Sequence, residues 1–340
     1  MLRDANVLVT GWPSFLHGEA TAGDVLAMEA VRQALAAAGI RCELAWSPVL
    51  RPGLLTLAAA EPGRYTHLVF ACGPVHGWQV RELHTRYANC RRIAVGVSVI
   101  DPADPAVTGF HAVLPRDGAG TPGRRDLAAQ VQVPGLPVVG VILAPGQPEY
   151  AGRRRHEQVE AELAAWLTAQ DCARLPLDTR LDSRDWRHPA TPAQLEAVIA
   201  RLDLVLTTRL HGLVLGLKNA VPVLAVDPVA GGAKVTAQAR AWGWPAIITL
   251  AAAGTRRDGL SGGPAAGRGP VPVPVPVLDR AKLSLQWQWC RSAAAAAAAR
   301  TASAGDSAGD SAPSLTGELL AALAGPLPGA GRILPAALTG

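Results

Sequence analysis

Three polar side chains interrupt two apolar runs in the second half of the sequence: Thr208, Arg209 and His211. The planar guanidinium of an arginine suits a phosphate or a carboxylate, and a histidine can give or take a proton near neutral pH. Their types and spacing predict an anion site with an acid–base group beside it. The alternative stays open that Thr208 only caps a helix and that Arg209 is a surface residue.

The apolar runs on either side of these residues predict the elements that position them. Residues 204–207 predict a buried strand, and residues 209–219 predict a helix that begins at once. In a parallel α/β sheet, ligands bind at the carboxyl ends of the strands. The N–H groups and the dipole of a helix N-terminus also favour an anion. The predicted junction therefore supports the anion site that the side chains suggest.

Strand and helix patterns alternate in both halves of the chain. The clearest pairs are a strand at 6–10 before a helix at 22–38, and a strand at 136–144 before a helix at 155–169. Such alternation predicts parallel sheets covered on both faces. We therefore expect an α/β protein with two Rossmann-like domains, and a length of 340 residues fits two domains.

Changes in composition divide the chain into four predicted regions. A Gly-, Pro- and Arg-rich stretch follows the first domain, which we place at 1–125, and the second domain is placed at 135–252. Residues 253–277 predict a Gly/Pro-rich linker that ends in alternating Pro and Val. Residues 278–340 predict C-terminal helices and a flexible tail, so that the C-terminal region is of low complexity.

The composition excludes several classes of protein and site. With 49% hydrophobic and 17% charged residues, the chain is not wholly disordered. The net charge is +5, but the arginine clusters are short and no nucleic-acid-binding motif accompanies them, so we expect no nucleic-acid partner. The five cysteines form no CxxC pair, and no cluster of histidines, cysteines and carboxylates is apparent. We therefore predict neither a disulfide framework nor a metal.

The sequence also predicts where the protein works. It starts in a strand-like run without a signal peptide. It also lacks an apolar run of the roughly 20 residues that span a bilayer. We expect a cytoplasmic protein whose contact with a membrane is at most peripheral.

The segment TTRLHGLVLGLKNAVPVLAVDPVAGGAKVTAQARAWGWP resembles the signature region of the polysaccharide pyruvyl transferase family. In that family Arg-Leu-His opens a helix, a Val-Pro strand follows, and a Lys stands near the start of the next helix. The matching positions here are Arg209 to His211, Val221 to Val223, and Lys234. The upstream run that ends at Asp178 is also similar, and Asp24 after Gly23 resembles the family's Gly-Asp element more weakly.

The resemblance implies a fold, a reaction and partners. The fold is similar to GT-B glycosyltransferases, in which two Rossmann-like domains face each other across a cleft. The implied reaction transfers pyruvate from phosphoenolpyruvate to a sugar of a cell-envelope polysaccharide or its lipid-linked precursor. Two sugar hydroxyls become a cyclic ketal, and phosphate leaves. Phosphoenolpyruvate is a co-substrate, and no cofactor is implied.

The resemblance also implies roles for individual residues. His211 is the candidate general acid or base. Arg209, Thr208 and Lys234 are the candidates that bind phosphoenolpyruvate, although Lys234 could equally be a solvated residue. Asp24, from the first domain and the acceptor side, is the candidate that binds acceptor hydroxyls or acts as a base. A plain carboxylate at a helix N-terminus is its rival interpretation.

Two departures from the family pattern keep alternatives open. Cys72-Gly73 stands where members often have Gly-Gly, and the strand before Pro145 lacks an arginine that Arg153, Arg154 or Arg155 could replace. One alternative is a GT-B-type glycosyltransferase that uses a nucleotide sugar, for which Asp227 and the pair Gly231-Gly232 are available. The other is a non-catalytic family member.

Overall fold

A computed structural model describes residues 5–118, 120, 122–252, 278–305 and 315–323. The chain divides into two compact units, Met1–Pro134 and Gly135–Gly340. Each unit contains a five-stranded sheet in which every strand pair is parallel. The predicted α/β class with two parallel sheets is thus confirmed. The linker placed at 253–277 lies outside the described residues.

The first unit alternates strands and helices. Its elements are β1 (Asn6–Thr10), α1 (Ala22–Ala37), β2 (Arg41–Leu44), β3 (His67–Ala71), α2 (Trp78–Arg86), β4 (Arg91–Val99), α3 (Pro105–Thr108) and β5 (Ala112–Gly118). A short 3-10 helix, Leu127–Gln130, follows and places Leu127 against the core on the α1 side of the sheet. The first unit therefore continues past residue 125.

The second unit repeats the alternation and adds helices at its end. Its elements are β6 (Val138–Ile142), α4 (His156–Leu167), β7 (Ala173–Pro176), α5 (Pro192–Ile199), β8 (Leu204–Thr207), α6 (Leu210–Lys218), β9 (Val223–Asp227), α7 (Lys234–Ala241), β10 (Ile247–Thr249), α8 (Arg280–Cys290), α9 (Ala293–Gly305) and α10 (Leu315–Leu323). Every residue of β8 and β9 is buried, as expected for central strands of a parallel sheet. Trp287 of α8 is 1% exposed and packs edge-on against Trp166, with ring centroids 5.2 Å apart.

Both sheets have the same strand order, and that order locates their ligand-binding edges. The orders are β2-β1-β3-β4-β5 and β7-β6-β8-β9-β10. In each sheet the chain first steps to one side and then returns to the other, so the direction reverses between β1 and β3 and between β6 and β8. Ligands of open α/β sheets bind beyond the carboxyl ends of the strands at such a switch point.

Among the helices of the described ranges, none is both long enough and apolar enough to cross a membrane.

Candidate functional site

The junction of β8 and α6 lies at the switch point of the second sheet. β8 pairs with β6, and the backbone N–H of Ala144 beyond β6 donates to Thr208 Oγ1 at 2.7 Å. Gly212 lets α6 start close to the strand, because a Cβ there would lie 2.2 Å from Thr207 Oγ1. The loops after β6 and β8 are therefore fastened together where a ligand would bind.

Thr208 fixes this junction and does not cap the helix. It is 4% exposed, and its hydroxyl accepts the bond from Ala144. The neighbouring Thr207 Oγ1 instead accepts from the N–H of Arg209, the N-cap residue of α6, at 2.9 Å. Thr208 thus positions the loop after β6, and its direct contact with a ligand stays a prediction.

The structure pairs Arg209 with an acid from the neighbouring loop. Arg209 Nη1 donates to Asp178 Oδ1 at 3.1 Å and to Thr179 Oγ1 at 2.8 Å. The Arg209 and Asp178 side chains are only 17% and 19% exposed. Burial raises the pKa of Asp178, but hydrogen bonds from Arg180 and the charge of Arg209 outweigh it, so that the pKa is lowered. Arg209 is therefore held in one orientation by a charged partner.

The pairing of Asp178 with Arg209 is a feature that the sequence did not reveal. Asp178 follows β7 by two residues, at the same edge of the sheet as the β8–α6 junction. The available signal was a carboxylate just past a predicted strand, but its partner comes from a segment 31 residues away.

His211 lies in the first turn of α6, two residues after Arg209, and is exposed. The N-cap residue Arg209 provides no side-chain cap for that turn. Arg209 and the exposed imidazole of His211 thus both lie at the N-terminal turn of α6, and their contact with an anion stays a prediction.

Lys234 begins α7, the helix that follows the neighbouring strand β9. Its Nζ lies 3.9 Å from Glu149 Oε1 and 5.9 Å from the ring centroid of Tyr150, and its side chain is 40% exposed. Lys234 therefore lies at the same edge of the second sheet, close to the long loop that follows β6.

Asp227 proves to be a buried capping residue. It is 1% exposed, and its Oδ2 accepts the N–H groups of Ala233 and Thr236 at 2.6 and 2.9 Å, together with the Thr236 hydroxyl at 2.8 Å. Oδ1 accepts the N–H of Val229 at 3.1 Å. Both carboxylate oxygens are thus used within the protein, which argues against a ribose contact through Asp227.

Asp24 lies in the first unit, apart in sequence from the other four predicted residues. It is the third residue of α1 and forms a capping box with Thr21, accepting the Thr21 hydroxyl at 2.7 Å and the Thr21 N–H at 3.1 Å. Asp24 is thus a carboxylate that caps a helix N-terminus, and its contact with an acceptor stays a prediction. It also lines a cavity of about 550 Å³.

That cavity lies beyond β1 and β3, at the switch point of the first sheet. Its lining residues are Trp12, His17, Gly18, Glu19, Thr21, Gly23, Asp24, Cys72, Gly73, Pro74, His76, Arg116 and Asp126. Arg116 forms ion pairs with Asp117 and Asp126 and donates to Ser98 Oγ at 2.7 Å. Sequence reasoning missed Arg116 and Asp126, because their partners are brought together only by the fold.

Cys72 and Gly73 both adopt left-handed backbone conformations, with φ of +64° and +73°. Cys72 stands where family members often have a glycine, and its backbone keeps a conformation that favours glycine. The thiol lies 3.8 Å from Asp126 Oδ2, and burial followed by the charge of Asp126 raises its pKa to about 11. Cys72 is therefore a protonated thiol in the wall of the cavity at neutral pH.

Across the ranges that the structure describes, no three or more histidines, cysteines and carboxylates are grouped so that they could hold a metal ion.

The β8–α6 junction lies inside a segment that matches a known family. The polysaccharide pyruvyl transferase family model matches residues 174–228. The resemblance is confirmed over these residues, which include Asp178, Thr208, Arg209 and His211. Among curated proteins, none matches the chain.

Solved structures with similar chains include sugar-modifying enzymes. The spinosyn rhamnosyltransferase SpnG, in complex with thymidine diphosphate, is 13% identical with a TM-score of 0.32, and the match covers 94% of this chain and 99% of that one. The glycotransferase of kitacinnamycin is 14% identical with a TM-score of 0.28, covering 88% and 94%. The UDP-GlcNAc 2-epimerase from Methanocaldococcus jannaschii is 8% identical with a TM-score of 0.25, covering 72% and 88%. Structural similarity this weak supports no conclusion about the substrate or the mechanism of this chain.

Proposed function

We propose that the protein is a pyruvyl transferase that uses phosphoenolpyruvate and acts on a sugar of a cell-envelope glycan or its lipid-linked precursor. The observation that carries this proposal is the β8–α6 junction, where Arg209 and His211 stand at an open helix N-terminus inside the matched segment. A small donor with a carboxylate and a phosphate needs clustered cations and free N–H groups. Lys234 supplies a further cation at the same edge.

The proposed reaction balances without a cofactor. A general acid protonates the methylene carbon of phosphoenolpyruvate, which makes the neighbouring carbon oxocarbenium-like. One sugar hydroxyl attacks that carbon and loses its proton. The C–O bond to phosphate then breaks, the second hydroxyl adds to the same carbon, and a cyclic ketal and inorganic phosphate result. Of the two hydroxyl protons, one replaces the proton given to the methylene carbon and the other leaves with phosphate.

In this proposal His211 exchanges the protons, because it is an exposed imidazole in the first turn of α6, two residues after Arg209. Arg209, which Asp178 orients, binds the donor's carboxylate with its planar guanidinium. The acceptor sugar is assigned to the cavity of the first unit. There Trp12 offers an aromatic surface, and Asp24 and Asp126 offer carboxylates that accept hydroxyl hydrogen bonds.

Two rival functions remain to be separated from this one. A nucleotide-sugar transferase would have to bind its ribose without Asp227, since that carboxylate caps α7. A non-catalytic protein would keep the same fold but would not turn over substrate.

The proposal is tested by thermal unfolding with increasing phosphoenolpyruvate, and with a nucleotide sugar in parallel. A ligand that binds only the folded protein stabilises it by about 2.7 kcal/mol at a hundred times its Kd. We expect a saturable rise in Tm with phosphoenolpyruvate. The rise should disappear in Arg209→Gln and persist in Arg184→Gln, which removes the same charge from a side chain that is 90% exposed.

A rise with the nucleotide sugar alone would overturn pyruvyl transfer. A rise with phosphoenolpyruvate that is unchanged in Arg209→Gln would place the donor elsewhere. For a non-catalytic protein, phosphate release from phosphoenolpyruvate would stay at background with every glycan acceptor offered.

A further inference from the structure

The loop between β7 and α5 presents a tryptophan almost wholly to solvent. Trp186 is 93% exposed, more than any other large hydrophobic residue in the part of the chain that the structure describes. A ring in this position buries almost no apolar surface, so it adds almost nothing to the stability of the fold. Its large apolar faces are instead available to a ligand.

Backbone hydrogen bonds hold this loop in one conformation. The N–H of Asp182 donates to the carbonyl of Pro189 at 3.0 Å, which closes the loop at its base. The N–H of His188 donates to the carbonyl of Asp185 at 2.9 Å, which closes a β-turn with Trp186 inside it. Because the loop is already ordered, little conformational entropy is lost when a ligand binds to it.

The same loop carries a repeated pattern of paired charges. Each of its three arginines forms an ion pair with the aspartate two residues before it and donates its backbone N–H to that aspartate. The pairs are Arg180 with Asp178, Arg184 with Asp182 and Arg187 with Asp185. Positive and negative charges are therefore equal in number over residues 178–190. This balance favours a neutral polar ligand over an acidic polymer or an anionic lipid surface.

A groove of about 460 Å³ lies beside Trp186. Leu177 and Leu195 contribute apolar lining, and Asp185 and Gln194 contribute polar lining. Binding sites for small ligands commonly measure about 300–1,000 Å³. An aromatic face next to hydrogen-bonding side chains suits a pyranose, because a sugar ring has a face of C–H groups and a rim of hydroxyls.

A protein partner fits this surface less well. The core of a protein interface is depleted in charged residues and needs a contiguous apolar patch. Trp186 instead stands between Asp185 and Arg187, whose side chains are joined by two hydrogen bonds of 2.9 Å. A carboxylate accepts hydrogen bonds from hydroxyls and a guanidinium donates to them. The surroundings of the ring therefore match a saccharide.

The groove adjoins the residues that hold Arg209. Leu177 lines the groove and directly precedes Asp178, which accepts a hydrogen bond from Arg209 Nη1 at 3.1 Å. Consecutive Cα atoms are only 3.8 Å apart. The groove is therefore a neighbour of the β8–α6 junction within the second unit.

We propose that the groove beside Trp186 binds a neutral pyranose of the glycan acceptor, with the C–H face of the sugar against the indole. This pyranose is a further sugar of the glycan and does not itself receive pyruvate. The inference rests on the proposed function for the origin of the sugar. Its consequence is that a longer acceptor binds more tightly than the single sugar that reacts.

The test measures the binding of four neutral tetrasaccharides in the absence of phosphoenolpyruvate. Cellotetraose, mannotetraose, galactotetraose and chitotetraose are titrated into the protein, and binding is followed by saturation-transfer difference NMR. We expect at least one of them to bind the wild type. Trp186→Ala should weaken that binding about tenfold or more, and Trp186→Phe should weaken it less because an aromatic face remains.

The control is Trp78→Ala, which removes a tryptophan that is 58% exposed from the first unit. It should leave the affinity for the tetrasaccharide unchanged. Because both side chains are more than half exposed, both alanine variants should fold, and circular dichroism checks this.

A second measurement reads Trp186 in the wild-type protein. The sequence has nine tryptophans, and the indole N–H signal that is missing from the ¹⁵N spectrum of Trp186→Phe belongs to Trp186. The tetrasaccharide should shift this signal. The signal of Trp78, identified in the same way from Trp78→Phe, should stay where it is.

Three outcomes would overturn the groove as a saccharide site. The first is that none of the four tetrasaccharides binds the wild type. The second is that Trp186→Ala and Trp78→Ala bind the tetrasaccharide equally well. The third is that no saccharide binds and Trp186→Ala dissociates an oligomer seen by analytical ultracentrifugation, since Trp186 is then a contact between copies of this chain.

Failure of the groove and failure of the proposed function give different results. Saccharide binding that depends on Trp186, without any release of phosphate from phosphoenolpyruvate, would support the groove and overturn the function. Transfer of pyruvate with the same KM for long and short acceptors, in the wild type and in Trp186→Ala, would support the function and overturn the groove.

Discussion

At the scale of single residues, the orientation of Arg209 depends on Asp178. A free arginine side chain carries roughly 2 kcal/mol of rotamer entropy, part of which must be lost when it binds a ligand. The bonds to Asp178 and Thr179 order Arg209 before the donor arrives. Under the proposed function, Asp178 is therefore a positioning residue that acts on the donor through Arg209.

We predict that Asp178→Asn weakens phosphoenolpyruvate binding about tenfold, because the charge that holds Arg209 is lost. Titration calorimetry measures the change in Kd. The control is Asp182→Asn, since Asp182 pairs with Arg184 in the same segment, but that arginine is 90% exposed. Equal affinity of the two variants would show that Arg209 needs no positioning.

The partners of Asp178 should also make stability depend on pH in acid. Burial raises the pKa of Asp178, but the hydrogen bonds from Arg180 and the charge of Arg209 lower it overall, so these partners stabilise the fold fully above the ordinary aspartate pKa of about 4. That contribution is lost as the pH falls through the lowered folded-state pKa. The free energies of unfolding of the wild type and Asp178→Asn, measured with denaturant, should differ by a constant amount at pH 5–7. The two values should converge in stronger acid. A difference that grows as the pH falls would contradict this sign.

The sequence allowed part of the site to be predicted. Arg209 and His211 were recognisable because their spacing at a strand–helix boundary is local information. The pairing of Asp178 with Arg209 and the pairing of Arg116 with Asp126 were not recognisable, because each joins segments that only the fold places side by side. Asp227 was available as a ribose candidate in the sequence, and only the fold shows that its carboxylate caps α7.

At the scale of elements, helix N-termini at the second sheet differ in what occupies them. We predict that Asp227→Asn lowers the free energy of unfolding by about 1–3 kcal/mol, because the amide cannot accept all four bonds. The control is Asp279→Asn at the start of α8, where one exposed side chain accepts one bond from Lys282 and asparagine caps equally well. Denaturant unfolding measures both variants. If Asp227→Asn lowers the free energy of unfolding only slightly, Asp227 is again a candidate for binding a ligand.

The turn after β3 depends on Gly73 for two separate reasons. Its φ is +73°, and a Cβ would lie 2.2 Å from Trp12 Cδ1, displacing a ring whose Nε1 donates to Pro74 O at 3.2 Å. Gly39, after α1, has a φ of +71° but nothing within 4 Å of a Cβ. We predict that Gly39→Ala costs about 1 kcal/mol from backbone strain alone.

Gly73→Ala should cost that amount plus another ~1–3 kcal/mol for the displaced ring. The difference in stability between Gly39→Ala and Gly73→Ala, measured by thermal unfolding, isolates the contribution of Trp12, because the backbone strain is common to both variants. Trp12 fluorescence of the folded variants is the second readout, and equal stabilities would show that Trp12 has room to move.

At the scale of the whole molecule, each unit carries its own sheet and a candidate site at the switch point of that sheet. The α/β class and the division into two halves were predictable, because alternating strand and helix patterns can be read from short stretches of sequence. The strand order was not, since it depends on pairing between segments far apart in sequence. The separate C-terminal region was also expected, yet Leu278, Leu283, Trp287 and Cys290 are part of the second unit's core.

The packing of α8 gives the last prediction. Trp287 is 1% exposed against Trp166, whereas Leu285 on the same helix is 72% exposed. Trp287→Ala should lower the free energy of unfolding of the second unit by about 3–5 kcal/mol, because it leaves a cavity under α8. Leu285→Ala should change it by less than about 0.5 kcal/mol. Hydrogen exchange should then speed up in β9 and β10, the strands beneath α8, and stay unchanged in β1 and β3 of the first unit. If exchange stays slow throughout, α8 and its tryptophan are dispensable to the second unit, and the chain up to residue 252 suffices for that fold.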